Sequence, residues 1–303
     1  MAIGYHIPVL LAPLLSAIGR PARVADATLG DGGHAAALLA AGAEVLGIDR
    51  DPHAIAIAQR RLGDERIRYL EAPFASDVAL EAVAAFRPDL ILLDLGVSSR
   101  QLDEDARGFS FRPGAALDMR MDQRGPTAAD FLNRADDAAL AKVFFEWADE
   151  PRARQLAAEV LRRRGRRPFA VSDDLVNAIR AVLGARSGPA DFARIFQAVR
   201  IALNDELGGL ERALPAFREA LVPGGHIAAI SYHSGEDRVV KHAFREWGRR
   251  CVCPPRQPVC TCRGRALGRA EPRKPLLADA AEVAANPRAR SAKLRIFRVS
   301  HEN

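Results

Sequence analysis

The chain has 303 residues, 49% hydrophobic and 27% charged, a composition that excludes a wholly disordered or fibrous protein. Lys and Arg outnumber Asp and Glu by 44 to 38, and the net charge of +6 favours an anionic partner such as nucleic acid, although a solvated basic surface would also account for it. No run approaches the roughly 18 apolar residues of a membrane helix, and the first residues lack the charged region of a signal peptide. We therefore expect a cytoplasmic protein without a membrane partner.

Strand and helix signals alternate over the first third of the chain. Short apolar runs predict strands at 24–29, 44–49, 67–70 and 90–95. Helices are predicted at 34–41 and from Pro52 onward, with Asp51 as the N-cap. The fourth run is unbroken, which is typical of a parallel strand buried on both faces. The alternation predicts an α/β sheet with right-handed crossovers.

The alternation stops near residue 103. From there to residue 207 the sequence predicts only loops and amphipathic helices, one of them with Ser172 as its N-cap and Gly184 at its end. Strand character returns at His226–Ser231 and at 294–299. We therefore predict one α/β domain, residues 1–105 and 206–303, interrupted by an all-helical insertion domain, residues 106–205.

A glycine-rich loop, Gly30-Asp31-Gly32-Gly33-His34, lies between the first strand and the first helix. Glycine has no Cβ, so the backbone N–H groups of such a turn can approach a ligand closely. Asp49, at the end of the second strand, lies where an acid binds ribose hydroxyls. The loop and Asp49 together indicate an adenosine-type cofactor, but they fit NAD as well as S-adenosylmethionine.

Two further features favour S-adenosylmethionine. Residues 221–227 resemble the Leu-x-Pro-Gly-Gly turn that enters strand five of class I methyltransferases, and Asp94 ends strand four, where the ligand crevice is expected. The combination of this turn with Asp94 at the end of strand four is not expected in an NAD oxidoreductase. A non-catalytic RNA- or zinc-binding protein would leave the glycine loop without a use. The interpretation is a class I S-adenosylmethionine-dependent methyltransferase with a Rossmann-like sheet.

Several motifs, taken in chain order, form one pattern. They are His6-Ile7-Pro8-Val9-Leu10-Leu11, the loop at 30–34, Ile48-Asp49-Arg50-Asp51-Pro52, Ala72-Pro73-Phe74, and the segments 94–102, 108–112, 117–122, 196–201, 231–238 and 286–291. This pattern resembles the ribosomal RNA small subunit methyltransferase H family. The resemblance implies S-adenosylmethionine-dependent N4-methylation of a cytidine in the decoding region of 16S rRNA, position 1402 in the usual rRNA numbering, with the small ribosomal subunit as partner. It also implies that the helical insertion recognises RNA.

The resemblance assigns cofactor contacts to residues of this chain. They are Gly32, Gly33, His34, Asp49, Phe74, Asp94 and Gln101. Asp49 would accept hydrogen bonds from the ribose, and the ring of Phe74 would cover the adenine. By composition alone, Phe74 is more readily explained as a core residue.

The exocyclic amine of cytosine is a poor nucleophile because its lone pair is delocalised into the ring. Many amino-methyltransferases present an Asp/Asn-Pro-Pro-aromatic motif to it, but this chain has Asp94-Leu95-Gly96-Val97 instead. We expect Asp94 or a neighbouring carbonyl to accept from the amine, and Asp118 and His233 to position the base. His233 could also be a general base, or only order the loop after strand five. Candidates for a stacking aromatic are Phe109, Phe111 and Tyr232.

All four cysteines fall in two C-x-C pairs, Cys251 with Cys253 and Cys260 with Cys262. Four thiols this close suggest tetrahedral zinc, although reduced surface thiols or an adventitious metal would also fit. Arginines are frequent from Arg249 to Lys274 and again at 162–167. We expect these two basic clusters to contact RNA phosphates, although such runs are often merely solvated. The sequence does not indicate an oligomeric state.

Overall fold

The structure, a computed structural model, describes residues 8–301 and divides the chain into two compact units. One unit consists of the chain up to Gly96 and from Leu207 onward, and the other is Val97–Glu206. The first junction was expected after residue 105; it lies earlier because the chain leaves the sheet directly after its fourth strand. His6 and Ile7 of the first motif lie outside the described residues. No helix within them is long and apolar enough to cross a membrane.

The first unit is built on one sheet of eight strands. They are β1 (Arg23–Asp26), β2 (Glu44–Asp49), β3 (Ile67–Glu71), β4 (Leu90–Asp94), β5 (His226–Ser231), β6 (Gly268–Ala270), β7 (Leu276–Leu277) and β8 (Lys293–Val299). The order is β3-β2-β1-β4-β5-β8-β6, and β7 pairs with β8. The first five strands are parallel, whereas β8 runs antiparallel to β5, β6 and β7. This is the α/β architecture that the sequence predicted, an open Rossmann-like sheet of parallel strands extended by antiparallel ones.

Alternate residues of the central strands pack into two separate hydrophobic cores, one on each face of the sheet. Ile91 and Leu93 of β4 pack into one hydrophobic cluster, and Leu90 and Leu92 pack into the other. Because successive side chains of a strand point to opposite faces, a strand covered on both faces must be apolar throughout. This is the physical reason for the unbroken apolar run in β4.

Helices flank the sheet. They are α1 (Leu11–Ile18), α2 (Gly33–Ala40), α3 (Pro52–Leu62), α4 (Asp77–Phe86), α11 (Glu206–Ala220), α12 (Ser234–Trp247) and α13 (Ala280–Ala285). Asp51 caps α3 as expected, since its side chain accepts a hydrogen bond from His53 N and Pro52 occupies the first turn.

The second unit is helical. Its helices are α5 (Ser99–Asp103), α6 (Ala128–Arg134), α7 (Asp137–Glu146), α8 (Ala153–Arg164), α9 (Ser172–Leu183) and α10 (Pro189–Asn204). They enclose a core of their own that includes Phe144, Leu156 and Ile195, each fully buried. Within the described residues 97–206 the only β pairing is one isolated bridge, between Ala116 and Val171.

One predicted helix cap was wrong. Val171, not Ser172, is the N-cap of α9, and Ser172 is the first helical residue. The Ser172 hydroxyl instead donates to the Arg112 carbonyl oxygen at 2.6 Å. Asp174 replaces the missing cap, because its carboxylate accepts from the backbone N–H groups of Ala170 and Val171. A tertiary hydrogen bond has therefore taken precedence over a local one.

Candidate cofactor and catalytic site

Three neighbouring parallel strands each end on an aspartate. β1 ends at Asp26, β2 at Asp49 and β4 at Asp94, and β1 lies between the other two. The carboxyl ends of such strands border the ligand crevice of an open α/β sheet. Sequence analysis selected Asp49 and Asp94 but not Asp26, although Asp26 has the same position at the end of a strand and could have been found by that rule.

Burial perturbs all three carboxyl groups. It is the largest influence on each, raising the pKa of Asp26 to about 7, that of Asp49 to about 6, and that of Asp94 above its usual value. Desolvation disfavours the charged form, and mutual repulsion adds to the effect at Asp26. Carboxylates with raised pKa values in a crevice are typical of functional sites.

The glycine loop adopts a conformation that favours glycine. Gly30 and Gly32 have φ angles of 53° and 77°, in the left-handed region. A Cβ on Gly32 would lie 2.7 Å from Leu62 Cδ1. Gly32 is also the N-cap of α2, and no described side chain caps that helix. The N–H groups of its first turn are therefore suited to an anionic ligand group, and Gly33 begins that turn.

Asp49 fixes the loop from the neighbouring strand. Its Oδ2 accepts from Gly30 N at 2.7 Å, and its Oδ1 accepts from Asp51 N at 2.8 Å. Each carboxylate oxygen can accept a second hydrogen bond, so Asp49 can also bind two vicinal hydroxyls. The residues of the loop and of the β2 terminus thus fit the adenosine and carboxylate groups of S-adenosylmethionine.

Asp94 lies in a small polar network. Tyr232 Oη donates to its Oδ1 at 2.8 Å, and His34 Nδ1 lies 3.7 Å from its Oδ2. Its backbone N–H donates to Thr28 Oγ1 at 2.6 Å. His34 Nε2 donates to the Val9 carbonyl oxygen at 3.0 Å, so this nitrogen carries a hydrogen. Tyr232 therefore holds the Asp94 carboxylate in one orientation through Oδ1. Oδ2 takes no part in that hydrogen bond.

His233 is tied into the start of α12. It is the N-cap of that helix, and its Nδ1 accepts from Gly235 N at 3.2 Å. Its Nε2 lies 3.1 Å from Oε1 of the buried Glu236. The other Glu236 oxygen accepts from Tyr232 N at 2.8 Å. Among the described residues Nδ1 of His233 thus has a hydrogen-bond partner, whereas the buried Nε2 lies near the Glu236 carboxylate without a hydrogen bond. Sequence analysis missed Glu236, because His233 is not one of the residue types that mark a capping box in a sequence.

Phe74 follows β3 at the same edge of the sheet. Its ring is partly buried, with its centroid 6.4 Å from that of Phe217 in α11. The residue therefore belongs to the margin of the core and keeps part of its surface exposed. Both the core role and the adenine contact are compatible with this position.

Gln101 and Asp118 lie in the helical unit. Gln101 is buried and forms a capping box at α5, its Oε1 accepting from Ser98 N at 3.0 Å. Asp118 is paired with Arg120, whose Nε and Nη2 donate to its two oxygens at 2.9 and 2.7 Å. Burial alone would raise the pKa of Asp118, but the hydrogen bonds and charge of Arg120 outweigh it and lower that pKa. Asp118 is thus a permanent anion.

Buried polar groups hold the chain immediately after Asp118. Asn204 Nδ2 donates to Met119 O at 2.8 Å, and its Oδ1 accepts from Met121 N at 3.0 Å. The guanidinium of buried Arg107 donates to the carbonyl oxygens of Arg120 and Met121. Met119 has a φ of 58°, which is uncommon for a residue with a side chain. Several hydrogen bonds thus hold this loop in a conformation that is unfavourable at Met119. Such a loop is a candidate functional element.

The three candidate stacking aromatics have different surroundings. Phe109 is buried in the helical core, and Phe111 packs edge-on against Phe192 and Phe196 with ring centroids 6.0 Å apart in both pairs. Tyr232 donates a hydrogen bond to a candidate catalytic residue, Asp94.

The two predicted basic clusters differ in the contacts that their arginines make. Arg162 and Arg163 both donate to Glu159, and Arg164 donates to the carbonyl oxygens of Leu132 and Ala135. These three arginines therefore stabilise the helical unit. Between α12 and β6, Arg249, Arg250, Arg256 and Arg265 are exposed.

The chain is similar to known methyltransferases over its whole described length. The model of the MraW methylase family matches residues 4–300. The ribosomal RNA small subunit methyltransferase H of Gemmatimonas aurantiaca is 58% identical, covering 97% of this chain and 95% of that protein. The enzyme of the same name from Rubrobacter xylanophilus is 46% identical, with 98% and 96% covered. A solved rRNA methylase from Streptococcus thermophilus is 11% identical with a TM-score of 0.42, over 96% and 93% of the two chains.

Proposed function

Because this chain belongs to the ribosomal RNA small subunit methyltransferase H family, we propose that it methylates N4 of one cytidine in the decoding region of 16S rRNA, position 1402 in the usual numbering. Its cofactor is S-adenosylmethionine, which supplies the methyl group from a sulfonium. Because the chain belongs to this methyltransferase family, the two alternative functions are excluded, namely an NAD oxidoreductase and a non-catalytic RNA- or zinc-binding protein. The observation that carries the proposal is the cluster of Asp94, Tyr232 and His34 beside the glycine loop.

Asp94 is the residue best placed to act on the amine. As the N–C bond forms, the amine nitrogen becomes positively charged and must lose one of its two protons. Oδ2 of Asp94 would accept that proton, while Tyr232 holds Oδ1. The raised pKa of Asp94 makes it a stronger base than an exposed aspartate. Tyr232 remains a proton donor, because burial and the nearby Asp94 charge raise its own pKa.

The cofactor-binding role falls to residues of the sheet unit, with Gln101 retained from the family resemblance. Gly32, Gly33 and the first turn of α2 would bind the carboxylate of the cofactor, Asp49 its ribose hydroxyls and Phe74 its adenine. His34, in the first turn of α2, would contact the cofactor, and its Nδ1 lies 3.7 Å from Asp94 Oδ2. The capping box of Gln101 makes that residue a support of the adjoining segment as well.

His233 and Asp118 are proposed as positioning residues. His233 would hold Tyr232 in place through Glu236, whose carboxylate lies near His233 Nε2 and accepts from Tyr232 N. Its Nδ1 already accepts from Gly235 N, so a general-base role would fall to Nε2 alone. Asp118 would fix the loop 117–121, through which the helical unit is proposed to contact RNA. The partner is 16S rRNA in the small ribosomal subunit, and a cytoplasmic location follows from that partner.

Nucleoside analysis tests the proposal. Small ribosomal subunits from a strain lacking this gene would be incubated with the protein and labelled S-adenosylmethionine, and the rRNA digested for mass spectrometry. We expect one N4-methylated cytidine, with Asp94→Asn lowering kcat at least about a hundredfold. Methylation at carbon 5 would contradict the N4 assignment, and an unmodified rRNA would contradict the function.

A further inference from the structure

The four cysteines converge although they come from two short segments. Cys260 Sγ lies 3.8 Å from the sulfurs of Cys251 and Cys253 and 3.5 Å from that of Cys262, and the sulfurs of Cys251 and Cys262 are 3.8 Å apart. All four sulfurs lie within 4.8 Å of one another. Four side chains from two C-x-C pairs therefore surround one point.

The spacing matches a metal-centred tetrahedron. With Zn–S bonds of about 2.3 Å, a tetrahedral tetrathiolate has S–S edges of about 3.8 Å. The observed separations are far longer than the S–S bond of about 2.05 Å in a disulfide. Ligands that are all thiolates favour zinc over calcium or magnesium, which prefer oxygen.

The surrounding chain needs a source of order other than a hydrophobic core. Within the described residues 251–262, all are exposed or half-buried, and Val259 is 71% exposed. Yet the segment is anchored: Arg263 donates to the Glu246 carboxylate at 2.7 Å and to carbonyl oxygens at the end of α12. A metal cross-link supplies folding free energy where burial does not.

The local backbone also favours a thiolate. Val252 N donates to Cys262 Sγ at 3.3 Å. Four thiolates and one Zn²⁺ carry a net charge of −2, which the arginines of the same stretch, among them Arg256, Arg263 and Arg265, offset.

We propose that Cys251, Cys253, Cys260 and Cys262 bind one Zn²⁺ as a structural site that orders the chain between α12 and β6. Binding replaces the thiol protons, up to four of them, with four Zn–S bonds, and no oxidant or reductant takes part. All four coordination positions are filled by protein, so the site offers no place for substrate and its role is structural. The inference is independent of the proposed rRNA substrate.

Metal analysis of the full chain provides the first test. The protein would be purified without chelator, desalted against a competing chelator and measured by elemental mass spectrometry. We expect about one zinc per chain, and less than about 0.2 in Cys253→Ser and in Cys260→Ser. Val259→Ser, in the same segment but with no ligand atom, is the matched control and should keep its zinc.

Cobalt substitution provides a readout that does not depend on folding of a variant. Co²⁺ added to the metal-stripped wild-type protein should give the intense visible bands of a tetrahedral thiolate complex, and one equivalent of Zn²⁺ should remove them. Zinc lost on desalting would show an adventitious metal only. That result, two disulfides in the freshly purified protein, or cobalt bands unchanged in Cys253→Ser would each overturn the proposal.

Discussion

Asp26 is a carboxyl group held almost wholly out of water at the end of β1, so its protonation is linked to folding. Its pKa is raised by burial from about 3.8 to about 7. The folded state therefore binds the proton more tightly, and the stability that this supplies is lost as the pH rises from about 4 through 7. Above pH 7 the loss is complete.

Asp26→Asn should remove this pH dependence. The amide keeps an oxygen that accepts from Thr28 N, as the carboxylate does at 3.3 Å. We expect the free energy of unfolding of the variant to exceed that of the wild type by a margin that grows by about 2 kcal/mol between pH 5.5 and 8.5. Urea unfolding at the two pH values measures it. A margin independent of pH would contradict the burial of an ionisable group at this position.

Asp49 should make cofactor binding depend on pH. Its pKa is raised to about 6, mainly by burial, and only the ionised form can accept from two ribose hydroxyls while also binding Gly30 N and Asp51 N. We expect the Kd for S-adenosylmethionine, measured by calorimetry, to rise about tenfold for each pH unit below 6.

Two variants isolate the contribution of Asp49. Asp49→Asn should bind the cofactor at least about tenfold more weakly at pH 8 and show no dependence on pH between 5 and 8. Asp51→Asn keeps an N-cap for α3 and should retain the dependence on pH, with its midpoint shifted to lower pH because the Asp51 charge helps to raise the pKa of Asp49. A pH dependence that persisted in Asp49→Asn would assign it to a different carboxyl group.

The turn at Gly108 leaves no space for a side chain. Its φ is 72°, and a Cβ there would lie 2.4 Å from Asp118 N and 2.7 Å from Ala116 O. Gly114, in the same connection, has a similar φ of 79° but nothing within 4 Å. A residue with a side chain would be strained at either position, because both have a left-handed φ. Of the two positions, only Gly108 would also bring the added Cβ into a clash with backbone atoms.

Alanine at these two glycines should therefore have unequal effects. We expect Gly114→Ala to cost about 1 kcal/mol of unfolding free energy and Gly108→Ala more than about 3 kcal/mol, because backbone at Asp118 has little freedom to move. Thermal or urea unfolding compares them. Equal losses in the two variants would show that the contact with residues 116–118 is not rigid.

Elements with a simple repeat were predictable from sequence, and those fixed by distant partners were not. The parallel strands followed from apolar runs, and β2 and β5 have the predicted bounds. By contrast, β6 and β7 were missed because they are short and form only by pairing with β8. The conformation at Met119 depends on Asn204, which is distant in sequence, and no local pattern indicates it.

The same distinction applies to the candidate site. Strand termini pointed to Asp49 and Asp94, whereas the hydrogen bond from Tyr232 to Asp94 joins residues that only the completed sheet brings together. Arginine clusters were the least predictable, since Arg162 and Arg163 pair with Glu159 while the arginines between α12 and β6 are exposed.

For the whole molecule, RNA binding should depend steeply on salt. Neutralising Arg249, Arg250, Arg256 and Arg265 together, each to Gln, should lower the affinity for 16S rRNA. The slope of log K against log salt should fall by about 3, at about 0.7 for each phosphate that the variant can no longer neutralise. Arg162→Gln with Arg163→Gln is the control, because those side chains are already paired with Glu159. Binding that did not change with salt would exclude phosphate contacts as the source of affinity.

The position of β8 has a consequence for biosynthesis. This strand, Lys293–Val299, is the last in the chain, yet it lies inside the sheet between β5 and β6 and also pairs with β7. The edge of β5 therefore stays open until β8 is synthesised and paired, a hazard for edge-to-edge association of nascent chains. A stop codon that removed as few as the residues from Lys293 onward would leave three strands without their partner.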